Sequence, residues 1–190
     1  PAILAVSVAL HRVLAARGQH ACCMAGHSLG EYSALVAAGS IDLTSAARLV
    51  RARGQFMQEA VAEGEGAMAA ILGMEDDQVE ALCVEASQGQ VVSAANYNSP
   101  GQVVIAGAAA AVERAVALAK ERGAQRAMLL RVSAPFHCAL MEPAAAKLEV
   151  ALADVAIADP QVPVICNVDA VVLANADQVR SALLRQVTAP

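Results

Sequence analysis

Gly26-His27-Ser28-Leu29-Gly30 lies between an apolar run, Ala21 to Ala25, and a helix-forming stretch, Glu31 to Ala38. This is a G-x-S-x-G pattern in strand-turn-helix order, and that order gives the motif its meaning. A strand that reverses into a helix within a few residues needs a sharp turn. Glycines at both ends let the backbone make it without a Cβ clash. The serine hydroxyl is then held at the start of the helix, where unpaired backbone N–H groups can meet a developing negative charge. Ser28 reads as a nucleophile on an α/β scaffold. The competing reading is a chance match in a chain rich in alanine and glycine.

The composition limits what else the chain can be. With 190 residues and 57% apolar side chains it can bury a large core, and with 2% aromatics alanine, valine and leucine must fill it. Two Phe, two Tyr and no Trp give no stacking surface for single-stranded nucleic acid. The net charge of −5 argues against a polyanionic partner, though not against a small anion met by one arginine. The five cysteines are Cys22, Cys23, Cys83, Cys138 and Cys166. They form no C-x-x-C pair and are odd in number, so they read as reduced, mostly buried and cytoplasmic. The opening apolar stretch stops at His11-Arg12, short of a membrane span. Starting on Pro1 and ending at Pro190, the sequence reads as part of something longer.

In chain order, Ala2 to Arg17 reads as a helix closed by Gly18, apolar on most sides and therefore expected to be buried. Ala21 to Ala25 is a short strand, and Ser28 or Leu29 to Ala38 is a helix stopped by Gly39. Asp42 or Thr44 caps a helix running to about Glu63. On it Ala46, Leu49, Val50, Phe56, Met57 and Ala60 fall within about 60° of one direction. Arg53 sits in the middle of that stripe. A charge on an apolar face needs a partner. Either its head snorkels or meets an internal acid, or its planar fork is aimed at a bound carboxylate.

Past Glu63-Gly64-Glu65-Gly66 the units shorten. Ala67–Gly73 reads as a strand, a helix runs from Asp76 or Asp77 to Gly89, and Val91–Tyr97 is a strand. A turn at 98–101 leads to a strand at Val103–Ala106, a helix at Ala109–Arg122 and a strand at Arg126–Val132. The order β-α-β-β-α-β is that of the ferredoxin-like unit. Ser133 to His137 follow in a loop. Cys138–Ala153 is helical despite Pro143, Val162–Val168 a buried strand, and Asp177–Val187 a final helix.

A serine needs a base. Of four histidines, His11 and His20 read as solvated or structural. His27 adjoins Ser28, and neighbours on a sharp turn diverge, so it is expected to shape the substrate pocket. His137, in a loop after a strand, is the best general base in the chain. No acid between Ser28 and His137 follows a strand end of the larger domain as an esterase acid does. The pair is therefore expected to be oriented by something other than a carboxylate.

Four blocks then carry a resemblance over nearly the whole chain. Gly26 to Gly39 (GHSLGEYSALVAAG), Arg51 to Val61 (RARGQFMQEAV), Asn96 to Gly107 (NYNSPGQVVIAG) and Ser133 to Met141 (SAPFHCALM) resemble malonyl-CoA:acyl carrier protein transacylases. These load malonyl groups in bacterial fatty acid synthesis and are related to polyketide synthase acyltransferase domains. The resemblance implies an α/β-hydrolase-like large subdomain, residues 1–63 and 138–190, with an inserted ferredoxin-like small subdomain, residues 64–137.

It also implies roles. Ser28 is the nucleophile, His137 the base, and Arg53 the holder of the free malonyl carboxylate. Leu29 gives an oxyanion N–H, and Gln186, through its backbone carbonyl, orients the histidine. Malonyl-CoA and acyl carrier protein are the expected partners, with no nucleic acid, no membrane, no metal and no dissociable cofactor; a monomer is expected. Phe136 resembles the malonyl-type arrangement of polyketide acyltransferases.

The family's N-terminal G-Q-G-S-Q block, whose second residue supplies another oxyanion N–H, does not occur here. One lost oxyanion donor costs on the order of 10²–10³ in rate, so the chain alone is expected to be weak or inactive. A serine hydrolase of thioesters, a polyketide synthase domain and a non-catalytic piece of a synthase remain as alternatives.

Overall fold

The computed structural model describes all 190 residues. The elements, in order, are α1 (Ala2–Ala16), β1 (Met24–Ala25), α2 (Leu29–Ala37), α3 (Leu43–Glu59), β2 (Gly66–Leu72), α4 (Asp76–Ser87) and β3 (Val92–Ser99). There follow β4 (Gln102–Ala108), α5 (Ala109–Glu121), β5 (Arg126–Leu129), α6 (Glu142–Ala153), β6 (Val164–Ile165), β7 (Val172–Leu173) and α7 (Ala176–Arg185). The chain is mixed α/β. It divides into two compact units, one of Pro1–Gln55 with Ala146–Gln186, the other of Phe56–Ala145 with Val187–Pro190. Both inner boundaries fall inside helices, α3 and α6.

In the first unit a three-stranded sheet runs β1-β6-β7. β1 pairs parallel with β6, through Met24–Val164 and Ala25–Ile165, and β6 pairs antiparallel with β7. The expected strands Ala21–Ala25 and Val162–Val168 both shrink to two residues. The second shortens because the chain folds back: the Cys166 N–H bonds the Val171 carbonyl at 2.9 Å. Ala170, at φ 53°, makes the turn. β7 is the return arm of this hairpin, and it was not expected.

α1 corrects a second expectation. Only Leu4 and Val8 are buried, one helical turn apart, while Ile3, Val6, Leu10, Val13 and Leu14 are each at least 50% exposed. A helix packed along one neighbour buries a single stripe, whatever the chemistry of its other faces. α2 ends where Gly39 was expected to stop it. Asp42 caps α3, its Oδ1 accepting from the N–H groups of Thr44 (2.9 Å) and Ser45 (3.0 Å). The five cysteines are all free thiols, with Cys83, Cys138 and Cys166 buried and Cys22 and Cys23 exposed.

The second unit is a four-stranded antiparallel sheet in the order β3-β4-β2-β5. Period-two alternation sorts its side chains. Ala69, Ile71, Val103 and Ile105 join a buried cluster with Val79 and Leu82 of α4 and Val112 of α5. Met68, Val104 and Ala106 join a separate cluster, which includes Cys138 and Phe136. Those two residues flank His137, so a core of the small sheet holds the histidine loop by its neighbours. Gly66 tightens the hold. A Cβ there would come within 2.4 Å of Pro135 Cγ, so β2 must begin on a residue without a side chain. The expected helix from Cys138 opens instead with a 3-10 turn, Ala139–Met141, and becomes α-helical at Glu142, where Pro143 falls in the first turn.

α4 carries a capping box in which Glu75 and Gln78 each bond the other's backbone, which closes its first turn. Ile71, fully buried between sheet and helices, tests the packing. Ile71→Ala is expected to cost about 2–5 kcal/mol of stability, as buried isoleucine truncations do. Urea unfolding of the two proteins side by side measures it.

Candidate active site

The turn from β1 into α2 is as sharp as the motif requires. A Cβ on Gly26 would lie 2.0 Å from the backbone carbon and oxygen of Gly30 and 2.4 Å from the Glu31 nitrogen. No side chain fits there. Gly30 differs from expectation: a Cβ at that position meets nothing within 4 Å. Only the first glycine of the motif is demanded by space.

Between them Ser28 adopts φ 51° and ψ −109°. That is left-handed territory for a residue with a Cβ, at a cost of about 1–3 kcal/mol, and it persists only where its surroundings over-determine it. The surroundings do so. The Ser28 N–H donates to Asn167 Oδ1. Its carbonyl accepts from the Glu31 N–H at 3.1 Å and from Gln186 Nε2 at 3.2 Å. The Gly30 N–H bonds the His27 carbonyl at 2.8 Å. The hydroxyl accepts from Arg53 Nη2 at 2.9 Å.

Arg53 lies on the apolar stripe of α3 and is 7% exposed. The same Nη2 donates to Gln186 Oε1 at 3.0 Å, and its guanidinium stands 5.8 Å from the centre of the Tyr32 ring. Its Nε is buried without a hydrogen-bond acceptor. Burial pulls its pKa below the usual arginine value, against the opposing influence of Tyr32 and Glu31. Burial also pushes the Tyr32 hydroxyl up to about 12. The two readings of Arg53 left open by the sequence are thereby narrowed: the head does not snorkel, and its bonding partners are a hydroxyl and an amide rather than an acid.

Behind Gln186 stands Glu31, with no exposed surface. Its Oε2 accepts from Gln186 Nε2 at 2.5 Å and from the Asn167 N–H at 3.2 Å, and its Oε1 has no partner. Burial raises the Glu31 pKa; the bonds from Gln186 and Asn167 and the charges of Arg53 and Arg185 pull the other way.

The first unit thus brings together Ser28, Arg53 and Gln186, three of the residues singled out in the sequence. Leu29 opens α2 directly after the serine, and His27 is exposed on the turn. His137 belongs to the second unit, where it is 6% exposed at φ 59° between the anchored Phe136 and Cys138. The Cys138 thiol caps the Pro135 carbonyl at 3.1 Å. Glu31 and Asn167 were missed. Their signal was present: an acid on an otherwise apolar helix, in the spacing S-x-x-E, and a polar residue at a strand end. No three His, Cys, Asp or Glu side chains gather as a metal site. No helix is long and apolar enough to cross a membrane.

Two outcomes check this geometry. Gly26→Ala is expected to disrupt the elbow and lower stability sharply, whereas Gly30→Ala, at a helical position with open space around it, is expected to gain about 0.5–1 kcal/mol; thermal unfolding separates the two. The raised Glu31 pKa has a sign as well. Above the ordinary glutamate range the folded protein keeps a proton that the unfolded chain has released, so stability falls as pH rises through that window. Glu31→Gln is expected to abolish this slope, seen by comparing urea unfolding of both proteins from pH 4 to pH 7.

The acyl transferase domain family matches residues 1–182 of the chain. A malonyl CoA-acyl carrier protein transacylase of Escherichia coli strain K12 is 59% identical over 191 residues, covering all of this chain and 62% of the relative. The corresponding protein of Bacillus subtilis strain 168 is 48% identical, again over all of this chain and 60% of the relative. An acyl carrier protein S-malonyltransferase structure from Vibrio cholerae superposes with a TM-score of 0.98 at 54% identity, over all of this chain and 62% of that one. A malonyl-transacylase solved in complex with a type II PKS acyl-carrier protein superposes at 0.97 and 54% identity, with the same coverage. The chain spans 60% to 62% of the length of these two curated relatives. With residues 1–182 matched and those relatives alike along its whole length, the chain belongs to the acyl transferase domain family.

Proposed function

We propose that the chain carries the acyl-transfer centre of an [acyl-carrier-protein] S-malonyltransferase, moving malonyl from CoA to the phosphopantetheine thiol of acyl carrier protein. The observation that carries this reading is Arg53. A buried guanidinium that reaches the Ser28 hydroxyl, with its Nε unpartnered, is built for an acyl group ending in a carboxylate, since the planar fork donates paired bonds to such an anion. The relatives' names, transacylases of malonyl groups and acyl carrier protein, support the same substrates.

The chemistry is a two-step exchange. The Ser28 hydroxyl attacks the malonyl thioester while His137 takes its proton. The oxyanion rests on backbone N–H groups, that of Leu29 among them. Collapse breaks the C–S bond, and CoA leaves as the thiol with the proton from His137. A malonyl-serine ester remains, its carboxylate held by Arg53, with His27 lining the acyl pocket. The carrier-protein thiol then attacks, and the steps run in reverse. The Gln186 backbone carbonyl orients His137 in place of an acid. No metal or further cofactor enters, and the work belongs in the cytoplasm. We read the architecture as an α/β-hydrolase-like large subdomain with an inserted ferredoxin-like small one, a reading supported by the small sheet's order, β3-β4-β2-β5.

Incubation with malonyl-CoA is expected to add one malonyl group to the intact mass, and Ser28→Ala to abolish it. Release of free malonate without carrier protein would point to a hydrolase instead. Arg53→Ala is expected to lower kcat/KM for malonyl-CoA by roughly 10²-fold or more and to narrow the preference over acetyl-CoA, because removing one partner of a buried charge pair costs about 2–5 kcal/mol. Unchanged malonyl kinetics would remove Arg53 from the site.

A further inference from the structure

Ser28 is gripped at both of its peptide groups by side chains far away in sequence. Asn167 Oδ1 takes the N–H, and Gln186 Nε2 holds the carbonyl. Both holders end on the same atom. Glu31 Oε2 accepts the Asn167 N–H and the Gln186 amide. The Gln186 amide is also locked against flipping. Its NH2 group faces two acceptors, the Glu31 carboxylate and the Ser28 carbonyl, so its Oε1 must face the donor on Arg53. One carboxylate oxygen therefore stands behind the strained backbone of the serine and behind the aim of the arginine.

A fully buried carboxylate is costly to keep, and an apolar replacement of similar volume is often more stable. Charge balance with Arg53 would be one reason to keep it, but no direct Glu31–Arg53 bond exists, and Glu31 Oε1 is left without a partner. The contacts made are all of the anchoring kind.

We propose that Glu31 is a positioning residue, which holds the Ser28 backbone through Asn167 and Gln186 and sets the direction of Arg53 through Gln186. The inference rests on reading Ser28 as the acyl-bearing nucleophile. What matters is an acceptor at the reach of a glutamate side chain, rather than the negative charge.

Three variants separate reach from charge. Glu31→Gln keeps the acceptor and removes the charge. Glu31→Asp keeps the charge and withdraws the acceptor by one methylene. Glu31→Met removes both. The first readout is the rate at which a fluorophosphonate labels Ser28: the Oγ–P bond forms, the P–F bond breaks, fluoride leaves and the hydroxyl proton passes to base. Rates are taken per folded molecule, with folding followed by circular dichroism.

Glu31→Gln is expected to stay within about threefold of the parent, and Glu31→Asp and Glu31→Met to fall about 10- to 100-fold, the range expected for a displaced reacting group. The second readout is the ratio of kcat/KM for malonyl-CoA over acetyl-CoA. It is expected to fall about tenfold in the Asp and Met variants and to hold in Glu31→Gln. A merely structural glutamate would change the folded fraction and leave both readouts per folded molecule alone. The proposal is overturned if Glu31→Asp labels like the parent or if Glu31→Gln is as slow as Glu31→Met. A parent protein that is labelled at Ser28 but passes its malonyl group to water and not to carrier protein would defeat the transferase reading, while the labelling series still decides the role of Glu31.

Discussion

Everything at the site depends on one close approach. The backbone at Gly26 passes so near Gly30 and Glu31 that a single methyl group would overlap their atoms. That approach lets a two-residue strand reverse directly into α2 and forces Ser28 out of ordinary backbone space. It also fixes where Glu31 emerges, one helical turn past the serine, pointing back under it. The remaining contacts stabilise what the turn imposes. Asn167 arrives on the β6–β7 turn, Gln186 at the end of α7 and Arg53 from α3, and each meets a geometry already set by the elbow.

Hydrogen bonding here does different work from burial. Tyr32, Leu35 and their neighbours are sealed in the core and would hold α2 against the unit whatever Ser28 did. The polar chain from Arg53 through Gln186 to Glu31 adds little that apolar packing could not. Its contribution is directional: each amide and carboxylate has one arrangement in which donors meet acceptors. An arginine in such a setting, with a spare Nε, gains a fixed bearing.

Spacing along the chain makes local structure legible. The elbow, the boundaries of α2, α4 and α5, the alternating faces of the small sheet and the apolar stripe around Arg53 all follow from spacing within one element. α1 misled because composition says what a face is made of and not whether anything lies against it. The strands at Met24 and Val164 misled because pairing sets their length: a five- or seven-residue apolar run gains ladder bonds only where a partner strand exists. Glu31 and Asn167 stayed hidden for a similar reason. Asn167 lies 139 residues from Ser28 and Gln186 lies 155 from Glu31, and no periodicity links such positions. Gln186 was singled out for its backbone carbonyl, and its side chain makes hydrogen bonds to Arg53, Ser28 and Glu31.

The contact between Gly66 and Pro135 makes the start of the small sheet a gauge for the loop that carries His137. Any residue with a Cβ at position 66 must displace that proline, and the histidine two places on, before it disturbs the ladder behind it. In a survey of random substitutions, position 66 would therefore score with the reacting groups, though it lies at the end of an inner strand and offers no functional atom of its own. A map of sensitive positions in this chain charts transmitted displacement as much as chemistry, and only the fold tells the two apart.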